Sequence, residues 1–362
     1  MAFSTIPTAG LSTGGANFRN LIINGDMSLA QRGTSKTGET GTGYKSLDRW
    51  RFQAGSGITS TFSQSTDVPS GQGFAYSFKQ EATTGDADLS TDQYNAVVQR
   101  IEGQMLQQLK KGTSNAESTT LSFWVKASVT GTYIVNITDD DNSRVIAKSY
   151  TINSANTWEK KTITFDGDTT GTLDNDNARS ITVSFWQGAG TDYTSGTLQT
   201  TWGSNVTANL AVGQVNAFAS NNNTWQITGV QWEVGTSASD FEFLPYDVNL
   251  QRCMRYYQVL INGDDQSFEN FTSYNGASVY CSHRFNVTEM RTAPTGITSN
   301  NTNDFAFYSE SNAHFAPTLT FSNTYEKGSW IYCTMTTSVT QGSALFGKGN
   351  ASTALCAFDA EL

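Results

Sequence analysis

The feature that most constrains the fold is an alternation of apolar and polar residues, repeated along the chain between short polar turns. In the segment 119–126, Leu121, Phe123 and Val125 fall on one face of an extended strand, and the intervening residues fall on the other. This period of two is typical of a strand with one buried face and one solvated face. The same pattern recurs in four further segments, at residues 132–137, 158–165, 180–185 and 225–234.

The alternating segments are separated by turns rich in Asp, Asn and Gly, which tolerate tight backbone conformations. Examples are residues 139–142, 166–168 and 174–177. Many short strands joined by polar turns indicate antiparallel sheets that bury one face each. We therefore predict an all-β protein, built as a jelly-roll β-sandwich followed by a short linking helix and a smaller C-terminal β domain.

The composition changes along the chain predict four segments. Residues 1–20 are small, polar and Gly-rich, which is typical of a tail or linker. Residues 21–245 form the predicted sandwich. Residues 246–258 form the linking helix, because an Asp at its start and apolar residues at helical spacing (Leu250, Met254 and Tyr257) are typical of a capped helix. Strand patterns resume over residues 259–362, the C-terminal β domain.

Charge and hydropathy argue against several classes of partner. The formal net charge is −10, whereas nucleic-acid-binding domains usually carry a basic face, so we expect no nucleic acid as a partner. No apolar run reaches the length of a membrane span, and the first residues lack the pattern of an export signal, so we expect neither membrane insertion nor secretion. The four cysteines form no C-x-x-C pair, and we expect reduced, buried thiols and no cofactor.

Several segments resemble a family of bacteriophage tail-fibre and other virion structural proteins. The first set is residues 20–27, 31–35 and 48–50, and the second is residues 229–235, 241–242, 245–246 and 253–257. Residues 289–294 and 357–362 also resemble segments of such fibres. The sandwich itself is similar to jelly-roll carbohydrate-binding modules, particularly in the strand at 121–126.

This resemblance implies a non-enzymatic protein of the virion, assembled in the host cytoplasm. It implies a homotrimeric tail fibre or receptor-binding adhesin that contacts host surface polysaccharide. The N-terminal segment would attach it to other virion proteins, such as a tail hub, an adaptor or the capsid, through Phe3, Ile6, Leu11 and Phe18. Two alternatives remain open: a capsid-attached head fibre or decoration protein, and a tailspike-like enzyme that depolymerises glycans.

Three tryptophans are candidate glycan-binding residues, because the apolar face of a sugar ring stacks on an aromatic ring. Trp124 and Trp186 alternate with the apolar faces of their strands, and Trp202 lies in a Gly- and Ser-containing loop. The alternative for each is packing in the core or between subunits, where large aromatic side chains are most often buried.

Metal binding and catalysis leave weaker signals. Asp139, Asp141, Asp166 and Asp168 carry suitable oxygens for calcium, but their spacing does not match a calcium-binding loop, so no metal residue is predicted. The sequence has no G-x-S-x-G motif between a strand and a helix, since its match at residues 10–14 lies in the Gly-rich N-terminal segment, and it has no H-E-x-x-H motif. Its two histidines, His283 and His314, both lie in the C-terminal domain, and no catalytic residue is predicted.

Overall fold

The computed structural model describes residues 18–55, 57–285, 289–301, 303–309, 312–316 and 318–362. The chain divides into two compact units, the first ending at Pro245 and the second spanning Tyr246–Leu362. Antiparallel strands dominate both units, which confirms the all-β prediction. Phe3, Ile6 and Leu11 lie outside the described residues. None of the described helices is long and apolar enough to cross a membrane.

The described part of the first unit contains thirteen strands, three 3-10 turns and one short helix. The strands are β1 (Ser35–Glu39), β2 (Gly43–Tyr44), β3 (Arg51–Ala54), β4 (Thr59–Ser65), β5 (Ser77–Thr84), β6 (Tyr94–Glu102), β7 (Thr119–Ala127), β8 (Gly131–Asp139), β9 (Arg144–Ile152), β10 (Glu159–Phe165), β11 (Arg179–Ala189), β12 (Gly203–Ser204) and β13 (Thr224–Val234). The 3-10 turns are Gly103–Met105, Gln107–Leu109 and Thr207–Asn209, and the helix α1 is Thr191–Thr194.

These strands form two antiparallel sheets that face each other as a jelly-roll sandwich. The six-stranded sheet has the order β1-β4-β5-β13-β7-β10, and the seven-stranded sheet has the order β12-β9-β8-β11-β6-β3-β2. Strands that are adjacent in a sheet are often distant in sequence, because the chain crosses from one sheet to the other repeatedly. Each sheet therefore presents one face to a shared core. On the outer face of the seven-stranded sheet, Ile134, Ala147 and Trp186 form a second, smaller buried cluster with Ala211.

The core between the sheets is aromatic and follows the predicted alternation. Leu121, Phe123 and Val125 are fully buried in it, as is Phe185 of the facing sheet. Phe123 and Phe185 meet edge to face with ring centroids 5.2 Å apart. Burying a side chain of this size contributes about 1.5–3 kcal/mol, so the core supplies most of the driving force for this unit.

The N-terminal segment that carries the family resemblance, residues 20–27 and 48–50, is held in place by hydrogen bonds among its own residues. Asn24 adopts a left-handed backbone conformation with φ of 57°. Its Nδ2 donates to the carbonyls of Leu29 and Asp48, and its own carbonyl accepts from Trp50 Nε1 at 3.0 Å. The residues of this motif therefore bind one another, which explains why they occur together in the sequence.

The same segment is packed against the last strand of the sandwich. A Cβ atom on Gly25 would lie 2.1 Å from the carbonyl oxygen of Val230, so only glycine fits there. Asn20 is 4% exposed and its Nδ2 donates to the same carbonyl oxygen. Phe18 is exposed, while its backbone N–H donates to Glu242 at 2.7 Å. Residues 18–20, predicted as the end of the attachment segment, are thus bonded to the sandwich.

In its described residues, the second unit contains one helix and two sheets. The helix α2 is Tyr246–Met254. The strands are β14 (Tyr257–Asn262), β15 (Ser267–Ser273), β16 (Ser278–Arg284), β17 (Thr295–Thr298), β18 (Phe305–Ser309), β19 (Asn312–Ala316), β20 (Thr320–Tyr325), β21 (Gly328–Thr334), β22 (Ala344–Gly349) and β23 (Leu355–Asp359). They form a three-stranded sheet, β14-β23-β17, and a seven-stranded sheet, β19-β18-β22-β15-β16-β21-β20.

The helix is shorter than the predicted range 246–258. It ends at Met254, and Tyr257 already begins β14. The backbone carbonyl of Tyr256 accepts a hydrogen bond from Ala360 at 2.8 Å, so pairing with the end of the chain replaces further helical bonds. The buried helical residues are Asn249 and Cys253, not the predicted apolar stripe. Tertiary packing therefore overrides the local helical pattern.

The four cysteines, all in the second unit, are buried thiols, as predicted. Burial raises the pKa of Cys281 and of Cys333 to about 12 in each case. Since the thiolate is the reactive form, these thiols act as small apolar core residues.

Candidate functional site

A groove lies on the outer face of the seven-stranded sheet of the first unit. Along β11, Val183 and Phe185 point into the core, so Thr182, Ser184 and Trp186 lie on the opposite face. The groove has a volume of about 190 Å³. It is lined by Gln53, Tyr94, Ala96, Asn136, Thr138, Asp140, Arg179, Thr182, Ser184, Trp186, Tyr193 and Leu210.

Strand register brings these residues together from four strands. Trp186 is opposite Ala96 of β6, and Ala96 is opposite Gln53 of β3. On the other side of β11, Ser184 is opposite Asn136 of β8. Because the side chain of Ala96 is short, it leaves space above the sheet that the larger neighbours enclose. The register of four strands therefore fixes both the floor and the walls of the groove.

Three aromatic rings form one end of the groove. The ring centroid of Trp186 lies 5.8 Å from that of Tyr94 and 5.5 Å from that of Tyr193. The two tyrosine rings are 5.0 Å apart. Burial, followed by the nearby Tyr94, raises the pKa of Tyr193, so its hydroxyl stays protonated and can donate a hydrogen bond. This aromatic cluster offers apolar ring faces beside polar edges.

Two buried polar atoms in the groove have unused hydrogen-bonding capacity. Trp186 is 5% exposed and Asn136 is 1% exposed. Within the described part of the chain, neither Trp186 Nε1 nor Asn136 Oδ1 has a hydrogen-bond partner. A buried polar group without a partner costs about 1–3 kcal/mol. Two residues that line the groove therefore each hold a buried polar atom without a partner in the described part of the chain.

Charged side chains line the end of the groove opposite the three aromatic rings. Asp140 Oδ1 lies 3.2 Å from Arg179 Nη2, and Asp140 Oδ2 accepts a hydrogen bond from Thr182 Oγ1 at 2.7 Å. Burial raises the pKa of Asp140, against the effects of the Thr182 hydrogen bond and of the charges on Arg179 and Arg100. Perturbed carboxyl groups of this kind are common at functional sites.

The three predicted tryptophans lie on different surfaces, and Trp186 is the one that lines the groove. Trp124 is on the outer face of the other sheet, opposite Lys160 and Thr228. Trp202 is partly buried, and its Nε1 donates to the carbonyl of Asp166 at 2.7 Å. The structure therefore does not join the three residues into one binding site.

The acidic turns considered for calcium are occupied by a lysine. Lys111 Nζ contacts both Asp139 and Asp168, and its side chain is 5% exposed. Asp168 also accepts two hydrogen bonds from Arg144, at 2.7 and 2.9 Å. Among the described residues, no group of three or more His, Cys, Asp or Glu side chains could hold a metal ion. Protein cations thus balance these carboxylates.

The two histidines make ordinary structural contacts. His283 Nδ1 is 2.8 Å from Glu269 Oε1, and its ring stacks on Phe358 with an interplanar angle of 5°. His314 contacts the hydroxyls of Ser309 at 3.1 Å and Thr337 at 2.8 Å. Both ring nitrogens of His314 and Nδ1 of His283 therefore have partners within the second unit.

The second unit carries an exposed aromatic row that the sequence patterns did not single out. It consists of Tyr274, Trp330 and Tyr332, all exposed, together with Tyr280, whose ring centroid lies 6.1 Å from that of Tyr274. Tyr280 and Tyr332 are directly paired, and the rings of Tyr280 and Trp330 stack with centroids 6.0 Å apart. Contiguous exposed aromatic residues often mark an interaction surface.

The sequence patterns also missed most residues of the groove. Tyr94, Asn136, Asp140, Arg179 and Tyr193 come from four separate segments, which strand register and the helix α1 bring together. One signal is visible in retrospect: the polar residues Asn136 and Thr138 alternate with apolar core residues on β8. That alternation indicates which residues of β8 lie on the outer face of the sheet. It does not indicate that neighbouring side chains enclose this face as a groove.

The comparisons with known proteins found structural similarity only. No family model and no curated protein matches the chain. Among solved structures, the enzymatically active domain of tailspike protein 4 of bacteriophage CBA120 is 14% identical, with a TM-score of 0.31 over 60% of this chain and 22% of that chain. A family 4 carbohydrate-binding module is 14% identical, with a TM-score of 0.30 over 59% of this chain and 98% of that one. A family 11 module of Clostridium thermocellum is 15% identical, with a TM-score of 0.29 over 55% and 99%.

Proposed function

We propose that this protein binds glycans through the groove on the outer face of its seven-stranded sheet. The observation that carries the proposal is the pair of unpartnered buried atoms, Trp186 Nε1 and Asn136 Oδ1, beside a cluster of three aromatic rings. A sugar has an apolar ring face and a rim of hydroxyls, so it would contact the rings and satisfy both polar atoms at once.

We further propose that the glycan is a host-cell polysaccharide and that the protein is a virion structural protein, a homotrimeric tail fibre or receptor-binding adhesin. The resemblance of residues 20–257 to tail-fibre proteins supports this role. The N-terminal segment would dock on another virion protein, such as a tail hub, an adaptor or the capsid. Three copies would also convert weak contacts with single glycans into tight binding, because the second and third contacts become intramolecular.

The exposed aromatic row of the second unit supports self-association. Tyr274, Trp330 and Tyr332 are 66%, 48% and 39% exposed, which is unusual for three large aromatic residues around one ring, that of Tyr280. We assign this row to contacts with another copy of the same chain. The mass of the purified protein in solution tests the assignment: three times 39.3 kDa is expected, and Trp330→Ser with Tyr332→Ser should reduce it. A trimer unaffected by both changes would contradict the assignment.

We propose binding without cleavage. Hydrolysis of a glycosidic bond usually requires two carboxyl groups on either side of the bond. Of the residues that line the groove, Asp140 is the single carboxylate. It is paired with Arg179, an arrangement suited to orienting a ligand.

A glycan array with matched variants tests the groove. Tyr193→Ala removes a partly exposed aromatic face, and Asn136→Ala removes the unpartnered acceptor. Trp124→Ala is the control, because it removes an aromatic ring from the outer face of the other sheet. We expect both groove variants to weaken binding by about tenfold or more, on the basis of about 1–3 kcal/mol per contact. The control should bind like the wild type.

Two results would contradict the proposal. Loss of binding in Trp124→Ala with no change in the groove variants would move the site to the other sheet. Release of reducing ends from a bound polysaccharide would replace the adhesin with a depolymerising enzyme. Electron microscopy of labelled virus particles distinguishes the tail adhesin from the capsid decoration protein. An adhesin is expected at the tail, and a decoration protein is expected over the capsid.

A further inference from the structure

Leu210 adds an aliphatic side chain to the aromatic end of the groove. It follows the 3-10 turn Thr207–Asn209, in the same connection between β11 and β13 that carries Tyr193 on the helix α1. The backbone N–H of Ala211 donates to the carbonyl of Tyr193 at 3.0 Å, which joins the two parts of this connection. Leu210 packs against the small buried cluster that contains Trp186, and it also lines the groove.

This end of the groove favours a ligand that carries a methyl group. Ala96 is opposite Trp186 in the strand ladder and adds a second aliphatic side chain to the lining. Neither Leu210 nor Ala96 has a side-chain atom that forms hydrogen bonds. A hydroxyl placed against either residue would lose its bonds to water without replacement. A methyl group in the same position would instead be stabilised by leaving water.

A buried donor and a buried acceptor belong to the same part of the groove. In the described residues, Trp186 Nε1 and Asn136 Oδ1 have no hydrogen-bond partner. Asn136 is paired with Ser184, and Trp186 lies two residues further along β11 on the same face. Residues in this diagonal relation on neighbouring strands are about 7–8 Å apart. A single ligand group that both accepts and donates a hydrogen bond could therefore bridge them.

The charges that line the groove favour an uncharged ligand group. Asp140 and Arg179 are the charged residues of the lining, and their side chains are paired at 3.2 Å. An ionised substituent would lose its hydration without gaining a free counter-charge. A neutral polar group avoids this cost, because hydrogen bonds alone replace its bonds to water.

We infer that the groove selects glycans that contain an N-acetylated amino sugar. The acetamido group is a neutral, planar amide whose C=O and N–H point to opposite sides. The C=O accepts from Trp186 Nε1, the N–H donates to Asn136 Oδ1, and the methyl group contacts Leu210. Two hydroxyls could bond to the same two atoms, but they would supply no methyl group. This inference rests on the proposed glycan-binding function and adds the chemical class of the sugar.

Changes to the acetyl group of printed polysaccharides test the inference. Bacterial polysaccharides that contain N-acetylated amino sugars are printed in native form, after de-N-acetylation, and after the free amines are acetylated again or formylated. Neutral polysaccharides without amino sugars are printed beside them. We expect wild-type binding to fall by about tenfold or more on de-N-acetylation, because two hydrogen bonds and a methyl contact are lost, and to return on re-acetylation. Formylation restores the N–H and the C=O without the methyl group, so it should restore binding only in part.

Variants connect the acetyl group to named side chains. Leu210→Ala removes the aliphatic contact, so the acetylated and formylated forms should bind equally. Leu198→Ala is the control, because Leu198 packs against the same buried cluster and is not among the described residues that line the groove. Trp186→Phe keeps an aromatic ring and removes the N–H donor, so binding of the native form should fall by about fivefold. This second variant tests the inference even if Leu210→Ala unfolds.

The failures are distinguishable. Equal wild-type binding of native and de-N-acetylated forms, with loss in Tyr193→Ala, would overturn the selectivity and leave the glycan-binding groove intact. Stronger binding to the polysaccharides without amino sugars would overturn it in the same way. Full restoration by formylation, or equal effects of Leu210→Ala and Leu198→Ala, would contradict the methyl contact and overturn the inference. No wild-type binding to any glycan in any of its forms would overturn the proposed function itself.

Discussion

Replacing Lys111 with methionine removes the ammonium group that joins Asp139 to Asp168. The lysine also donates to the backbone carbonyls of Thr170 and Gly171, at 3.1 and 2.9 Å. Asp168 would keep its two hydrogen bonds from Arg144, whereas Asp139 is fully buried and would lose its cation. The substitution therefore leaves one uncompensated charge in the interior of the sandwich.

The expected loss follows from this burial. Removing one partner of a buried ion pair costs about 3–5 kcal/mol. Asp139 retains hydrogen bonds from the backbone and side chain of Asn142, so we expect the lower end, about 3 kcal/mol. For a unit of this size, 1 kcal/mol corresponds to about 2–4 °C in Tm, so the expected decrease is about 6–12 °C.

Differential scanning calorimetry of Lys111→Met and Lys110→Met provides a matched comparison. Lys110 is adjacent in sequence and pairs with Glu117, but the two side chains are 54% and 36% exposed. An exposed pair contributes at most about 1 kcal/mol, so the control should unfold near the wild-type temperature. Equal Tm values for the two variants would refute the assignment of Lys111 as the cation of the acidic turns.

Three further predictions concern stability and reactivity. Gly25→Ala should lower the unfolding free energy of the first unit by at least about 2 kcal/mol in urea unfolding, because the new Cβ would clash with the backbone of Val230. Gly57→Ala is the control: its new Cβ would meet no atom closer than 3.6 Å, so the unfolding free energy should change by no more than about 0.5 kcal/mol. Equal effects would contradict the close packing of Gly25 against β13. Hydrogen bonds from two cations outweigh burial and lower the pKa of Asp168, so its contribution to stability is present above about pH 4 and is lost as the pH falls. The difference in unfolding free energy between wild type and Asp168→Asn should therefore shrink below pH 4, and a constant difference would contradict it. Cys281 and Cys333 should resist a thiol reagent at pH 8 until the protein is denatured, and rapid native labelling would contradict their burial.

The strands of the sandwich could be predicted because their burial repeats locally. Leu121, Phe123 and Val125 alternate with polar residues, and each falls in the core. The C-terminal boundary of the helix could not be predicted in this way. Tyr257 continues the helical spacing of apolar residues, but its backbone pairs with Asp359, more than a hundred residues later. A local pattern contains no information about such a partner.

The groove could be predicted only in part for the same reason. Trp186 was identified from its position opposite the core face of β11. Tyr94 and Tyr193 reach it through the register of β6 and through a short helix, and neither has a distinctive local pattern. Trp124 has the same alternation as Trp186 but lies on a different sheet. Sequence identifies which residues leave the core, while the topology decides which of them meet.

A structure of the protein with a bound oligosaccharide, chosen from the glycan array, tests the central claim most directly. The account predicts a sugar ring against Trp186 and Tyr193, with one polar group of the sugar within hydrogen-bond distance of Trp186 Nε1 and another near Asn136 Oδ1. An oligosaccharide bound at Trp124, or on the exposed aromatic row of the second unit, with the groove left empty, would contradict it.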